Sequence, residues 1–481
     1  MLKPEDSLLR KTIRISTLEG IFAQIYTSLT GIGSVFITKF AVILQAQPIH
    51  FSLLTAISQI SQVFQIMGYA VTRNSIHRKE ATLRFVGAGR FLTAFLGLSV
   101  FLFPPGSGIW LFLIILFLSS SLNAIGGNIW IAWISDLIPL RYRGRFFSRR
   151  AQYLVGISLL VSYLLSLFID LFESESGTWK QKLIEFFQAS DLFRPEKQVI
   201  FLALIFVLGS LISLMGLLIL AKQPEKSKSI EQHGIIKTIK TAFNDQNFRK
   251  LLIFSCWWMM AVGIGSPFWG PFMMTKLKMT LLEMQIYGSF SALISIFSFR
   301  WWGRFIDKYG NRNAMKIAIL LGGFNPQLWL LMHPYNYHVI WLEAISTGFM
   351  WAGAGVVATN FVLSVAPAEK HQIYSGIYGA FAGLGMMITA LLSSQLLITD
   401  WQAGAIHWEA EQLLFSLGGI MRWTAIIPLL WIKEPRRMNL GLTTWLWNQA
   451  MKIRIIQIRD WMFGKNSIKK GFKSGQNNHR D

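Results

Sequence analysis

At 481 residues, 53% hydrophobic and 15% charged, the chain carries far fewer charges than the roughly one quarter of soluble domains, which excludes a water-soluble globular protein and points to lipid as solvent. A formal net charge of +22 would signal nucleic acid in a soluble chain. Here lysine and arginine fall between long apolar runs and read as topology signals, so no nucleic-acid partner is expected. The single cysteine, Cys256, lies inside an apolar run and cannot close an intrachain disulfide.

A membrane span needs about 20 apolar residues, and that rule divides the chain into about twelve. In chain order they are 14–40, 50–72, 83–103, 109–135, 150–171 and 198–221, then 250–275, 284–303, 313–332, 338–365, 373–397 and 411–432. The first follows Lys3, Arg10, Lys11 and Arg14 in the manner of a signal peptide, but its apolar stretch runs on to Leu44, too long for a cleaved core. The longest interior polar stretch, 222–249, holds Lys222, Lys226, Lys228, Lys237, Lys240, Arg249 and Lys250, and splits the spans into two sets of six. The expected class is an all-α integral membrane protein with twelve transmembrane helices in two pseudo-symmetric six-helix bundles. Residues 1–222 form the first bundle, 223–249 a basic linker, 250–438 the second bundle and 439–481 a basic tail.

Charge bias sets the orientation. With the N-terminus cytoplasmic, Arg73, Arg78, Lys79 and Arg84, then Arg141, Arg143, Arg145, Arg149 and Arg150, then Arg304, Lys308, Arg312 and Lys316 all fall on the cytoplasmic side with the linker. Loops 104–108, 333–337 and 398–410 have no lysine or arginine. Both termini are therefore expected inside, in the inner cell membrane. Two segments read as surface helices: 179–187 on the outer face, and 442–463, where Trp445, Trp447 and Trp461 alternate with Lys452, Arg454 and Arg459 as in a helix bound to an anionic inner leaflet.

The sharpest motif joins spans eight and nine: Gly303, Arg304, Asp307, Lys308, Gly310 and Arg312 in one short loop. Gly303 permits close helix approach, Gly310 permits a tight turn, and Asp307 can meet cations or a helix N-terminus. Its first-half counterpart, Gly68 to Lys79, has Thr72 at the position of Asp307 and no glycine at the turn. Span four ends in Asp136 and Pro139 followed by Arg141 and Arg143. Span ten ends in Pro367 and Glu369, and aligning the two prolines sets Gly127 against Gly355. Such a weak internal repeat suits a duplicated six-helix unit.

The Gly303–Arg312 pattern closely resembles the signature loop of the major facilitator superfamily, and segments 19–42, 266–268 and 348–367 are similar to bacterial members of it. The resemblance, over roughly 15–436, implies that superfamily's fold and alternating-access transport, and a conformational latch at Gly303, Arg304, Asp307, Lys308, Gly310 and Arg312. It also implies an inner charge network of Asp136, Arg143 and Asp307. It names no substrate.

Charges at membrane depth cost roughly 2.5–3.5 kcal/mol each on insertion scales, so each marks a candidate site. Glu19 in span one either binds a coupling proton or pairs with basic residues. Arg90 in span three holds an anionic substrate, pairs with Glu19 or snorkels to the headgroups. Arg422 in span twelve needs a structural partner. In the superfamily's arrangement spans one, four, seven and ten line a central cavity, which selects Gln24, Asn123, Asn128, Trp130, Trp258, Trp351 and Asn360 as substrate-binding candidates. No metal-type His/Cys/Asp cluster, phosphate loop or Ser/His/Asp arrangement stands out, so neither an enzyme nor a cofactor or metal is expected. The function expected is a monomeric secondary transporter of a small solute, coupled to an ion such as the proton or acting as a facilitator. The alternative, kept open by Thr72, is a transport-inactive scaffold or sensor.

Overall fold

A computed structural model describes residues 4–65, 67–68, 77–104, 106–173, 193–225, 235–334, 336–365, 371–397, 400–403 and 406–433, with backbone alone at 4–7, 140–145, 148, 235–239, 371–373, 403 and 406. Ten helical stretches are long and apolar enough to cross a membrane. The two other expected spans are helical but shorter. Residues 50–72 contribute α3, part of the rest lying outside the described residues, and 250–275 is broken in two.

The first half comprises α1 (Pro4–Thr30), α2 (Val35–Ile43), α3 (Pro48–Val63), α4 (Arg78–Leu92), α5 (Leu98–Phe101), α6 (Gly108–Leu137), α7 (Leu140–Asp170) and α8 (Gln198–Leu220). A linker helix, α9 (Ile235–Asn244), follows. The second half comprises α10 (Gln246–Gly263), α11 (Trp269–Thr275), α12 (Leu281–Tyr309), α13 (Asn311–Leu328), α14 (Ile340–Val365), α15 (His371–Ser393), α16 (Ala410–Thr424) and α17 (Ile426–Trp431). Between α15 and α16 the expected loop is a small antiparallel hairpin, β1 (Trp401–Ala403) and β2 (Ile406–Trp408), clasped by stacked Trp401 and Trp408. The alternation of apolar and polar residues there is too short to register as a strand signal.

Local chemistry explains the breaks. Gly31 and Gly33 end α1, and Ser34 restarts the helix by accepting a hydrogen bond from the Ile37 amide at 3.2 Å. Pro267, which has no N–H to donate, sits in the gap between α10 and α11. Thr280 and Glu283 form a reciprocal cap at the start of α12. Gly310, at φ +84°, ends α12 and opens α13 in a conformation that a side chain would strain.

Packing between the halves is one-sided. A single apolar core at the end far from the linker joins first-half residues such as Phe36, Phe40 and Phe112 to second-half residues such as Phe268, Phe272 and Phe415. Toward the linker the cores separate: Trp133, Leu217 and Leu220 pack within the first half, Trp302, Phe305 and Met350 within the second. The halves meet along α3 against α15 and α7 against α12, and α2 touches α11 and α12 at the far end.

Candidate functional site

Between the halves lies a cavity of about 790 Å³, reaching from the break after α1 toward the linker side. Its far end is the break itself, Gly31 to Ser34, together with Gln285 of α12. Toward the linker the wall continues through Gln62, Gln65, Asn128 and Ile131. Apart from Gln285, every lining residue comes from the first half.

Gln24, Asn123, Asn128 and Trp130, four of the seven substrate-binding candidates, line this cavity. Asn123 is positioned by close packing of α4 on α6. A Cβ at Gly89 would stand 2.7 Å from Asn123 Nδ2, so only glycine admits that amide. The amide donates to the Ser119 carbonyl at 2.9 Å and to Tyr26 Oη at 3.3 Å, and Tyr26 itself lines the wall. Trp258, Trp351 and Asn360 do not line the cavity. Trp258 is buried against α13, where a Cβ at Gly322 would meet its ring at 2.7 Å, and Trp351 lies edge-on to it with ring centroids 6.3 Å apart. Trp258 finds its partners in the second half's own core, which draws it off the cavity, while Trp351 stays exposed outside that core.

The intramembrane charges of the first half are brought together. Arg90 donates to Glu19 Oε1 at 2.9 Å, both residues being buried, and to the Ser213 carbonyl at 3.2 Å. Arg150 approaches Glu19 at 3.7 Å, donates to the Ser16 carbonyl, and lies 4.7 Å over the ring of Trp130. Of the alternatives open for Arg90, pairing with Glu19 is the one realised. Arg90 stands on the cavity wall with its charge already answered. Arg150 had been read only as a topology charge. It joins the site because α7, unbroken from Leu140 to Asp170, packs along α1 and sets Arg150 beside Ser16 and Glu19.

The second half holds its charges apart. Arg422 is buried and donates to the Gly322 carbonyl at 3.1 Å, the structural partner expected of it. Glu343, at 4% exposure on α14, was missed because it falls near the end of its span. Tyr287 donates to it at 2.6 Å and Thr347 at 2.5 Å, with no ion-pair partner among the described residues. Thr347 in turn contacts Asn325, so the acid ends a chain of neutral hydrogen-bonding groups across α12, α13 and α14.

At the loop that carries the expected latch residues, several side chains reach solvent. Arg304, Asp307 and Lys308 are exposed, Gly303 has open space beside it, and Arg312 donates to the Leu430 carbonyl at 3.0 Å. Asp136 pairs with Arg78 inside the first half, and the side chain of Arg143 lies outside the described residues, as do Thr72, the expected outer helix at 179–187 and the tail helix at 442–463. At the opposite end, Asp170 at the close of α7 is 1% exposed and accepts hydrogen bonds from the Leu281 and Leu282 amides, both at 2.9 Å. This carboxylate caps a helix of the other half, and its sequence signal was only an aspartate ending an apolar run. On the hairpin, Asp400, His407 and Glu409 approach within 4.8 Å of one another, but Asp400 caps Ala410 and Glu409 pairs with Lys276.

Residues 21–390 match the sequence profile of the Major Facilitator Superfamily, and the chain belongs to that family. No curated protein sequence matches it. Among solved structures it is similar to the nucleoside transporter NupG, at TM-score 0.63 and 12% identity over 89% of this chain and 100% of that one. It is similar also to the xylose transporter XylE from E. coli in an inward-open conformation, at 0.59 and 15% over 91% and 98%. A POT family peptide transporter in an auto-inhibited state aligns at 0.59 and 11%, over 91% and 98%. At these identities the likeness is one of fold.

Proposed function

We propose that this member of the Major Facilitator Superfamily is a secondary active transporter that moves a small solute by alternating access, with residues 1–222 and 250–438 as the rocking halves and 223–249 as their tether. One observation carries the reading: among the described residues the halves share an apolar core and the Asp170 cap at one end only, while the cavity between them runs toward the other. Closure at a single end is half of an alternating-access cycle. The exposed Asp307 fits it, because a latch on the linker side has to be free when that side is open. With the lysine and arginine bias placing the linker in the cytoplasm, the conformation is inward-facing and both termini are cytoplasmic, in the inner membrane.

Coupling rests on the contrast between two buried acids. Glu19 has guanidinium partners, whereas Glu343 has neutral donors, with Arg422 the nearest charge it feels and that beyond ion-pair range. An ionised carboxylate is costly to bury without a cation, and protonation removes that cost. In this reading Glu343, on the helix bundle that shifts, is the place for a coupling proton, and Glu19 is structural. The experiment is double electron–electron distance measurement between labels at the two ends, with solute counterflow in proteoliposomes. Two exchanging distances and saturable counterflow are expected. A single closure under all conditions would instead identify a transport-inactive scaffold or sensor.

A further inference from the structure

We propose that the cavity selects uncharged, polyhydroxylated ring solutes of the monosaccharide or nucleoside kind, and that the first half supplies nearly all of their affinity. This rests on the transport reading above and names the solute class that the same cavity takes. Among the described residues no aspartate, glutamate, lysine or histidine lines the wall. Its one cation, Arg90, is spoken for by Glu19 at 2.9 Å. The surplus positive charge of the cluster belongs to Arg150, which sits against Trp130 and outside the lining. A cationic solute therefore meets no counter-charge there, and an anionic one meets no uncommitted cation.

What the wall offers instead is hydroxyls and amides. The side chains of Gln24, Ser120, Asn128, Ser162 and Gln285 face the cavity without a side-chain hydrogen bond to the protein among the described residues. Amides and hydroxyls both donate and accept, which matches a solute hydroxyl and mismatches a carboxylate or an ammonium, each of which uses one role only. At the break the Ile32 and Gly33 amides make no backbone hydrogen bond among the described residues, and both residues line the cavity. Tyr26 and Trp130 add aromatic surface to the same wall, each with a guanidinium over its ring, Arg90 at 5.8 Å and Arg150 at 4.7 Å. The volume of about 790 Å³ lies within the usual range of small-molecule sites, about 300–1,000 Å³.

The test separates charge from hydroxyl content among ring solutes. The purified full chain in lipid nanodiscs is melted with glucose, glucosamine, glucuronate, myo-inositol, uridine and tetrahydropyran-2-methanol, since a ligand stabilises the state that binds it. Glucose, inositol or uridine should raise the melting temperature, and the charged sugars and the mono-alcohol should not. The uridine arm decides between sugar and nucleoside. Gln24→Ala and Asn128→Ala should each weaken half-saturation about two- to tenfold, as expected for one hydrogen bond, with the unliganded melting temperature reporting that each variant is folded. A shift confined to glucuronate or glucosamine overturns the proposal, as does no shift with any neutral polyol. In either case two exchanging distances in the labelled protein would leave the transport reading standing, so the two failures are distinguishable.

Discussion

The two halves of this molecule handle buried polarity in opposite ways. In the first, Glu19, Arg90 and Arg150 converge on one cluster and the neighbouring wall is amide and hydroxyl. In the second, Glu343 and Arg422 take neutral partners on separate helices, and tryptophan and phenylalanine fill the space behind α10 and α14. The difference is one of pairing: the first half answers its buried acid with two guanidinium groups, while in the second the buried acid has neutral donors alone among the described residues.

The largest expected effect breaks the first-half cluster. Arg90→Ala leaves Glu19 buried with only the more distant Arg150, and removing one partner of a buried pair costs about 3–5 kcal/mol. Thermal and denaturant unfolding in detergent should register that loss, and Arg90→Met with Glu19→Leu should recover most of it. Next comes the second-half acid. Glu343→Gln should cut pH-gradient-driven uptake about tenfold or more, while solute counterflow without a gradient persists; undiminished drive in that variant would reject Glu343 as the coupling group. Glu19→Gln should do the reverse and lower stability first.

Asp170→Ala tests the contact that ties the halves together. Loss of a helix cap costs about 0.5–2 kcal/mol, so the balance between closures should move roughly 2- to 30-fold toward the state open at the far end. Label distances across that end read it directly. The smallest effect belongs to Asp307→Asn. With the latch exposed in this closure, the variant should leave this state untouched and shift populations against the opposite one about two- to fivefold, the scale of a charge at a helix terminus. If the populations hold while uptake stays normal, Asp307 is a solvated charge and no latch.

How much of this was legible beforehand differs by element. Ten of the spans stand where hydropathy puts them, because about 20 apolar residues must be helical in lipid wherever they pack. The candidates Gln24, Asn123, Asn128 and Trp130 reached the cavity because they lie on α1 and α6, which wall it. Trp258, Trp351 and Asn360 did not, since a residue's period along its helix says nothing of which neighbour its side chain will meet. Asp170 and Glu343 escaped notice for a related reason: each lies near a span end, where an acid normally reaches water, and each is buried only because a helix distant in sequence covers it.

Sequence alone therefore determined the helical membrane architecture and the family, since these follow from hydropathy and the Gly303–Arg312 loop. Only tertiary structure decided that Glu19 meets Arg90 and Arg150, that Asp170 holds α12 from the other half, and that one half walls the cavity. Local sequence fixes each helix and its termini, but the partner of a buried charge comes from a helix tens of residues away, and that choice is made by packing.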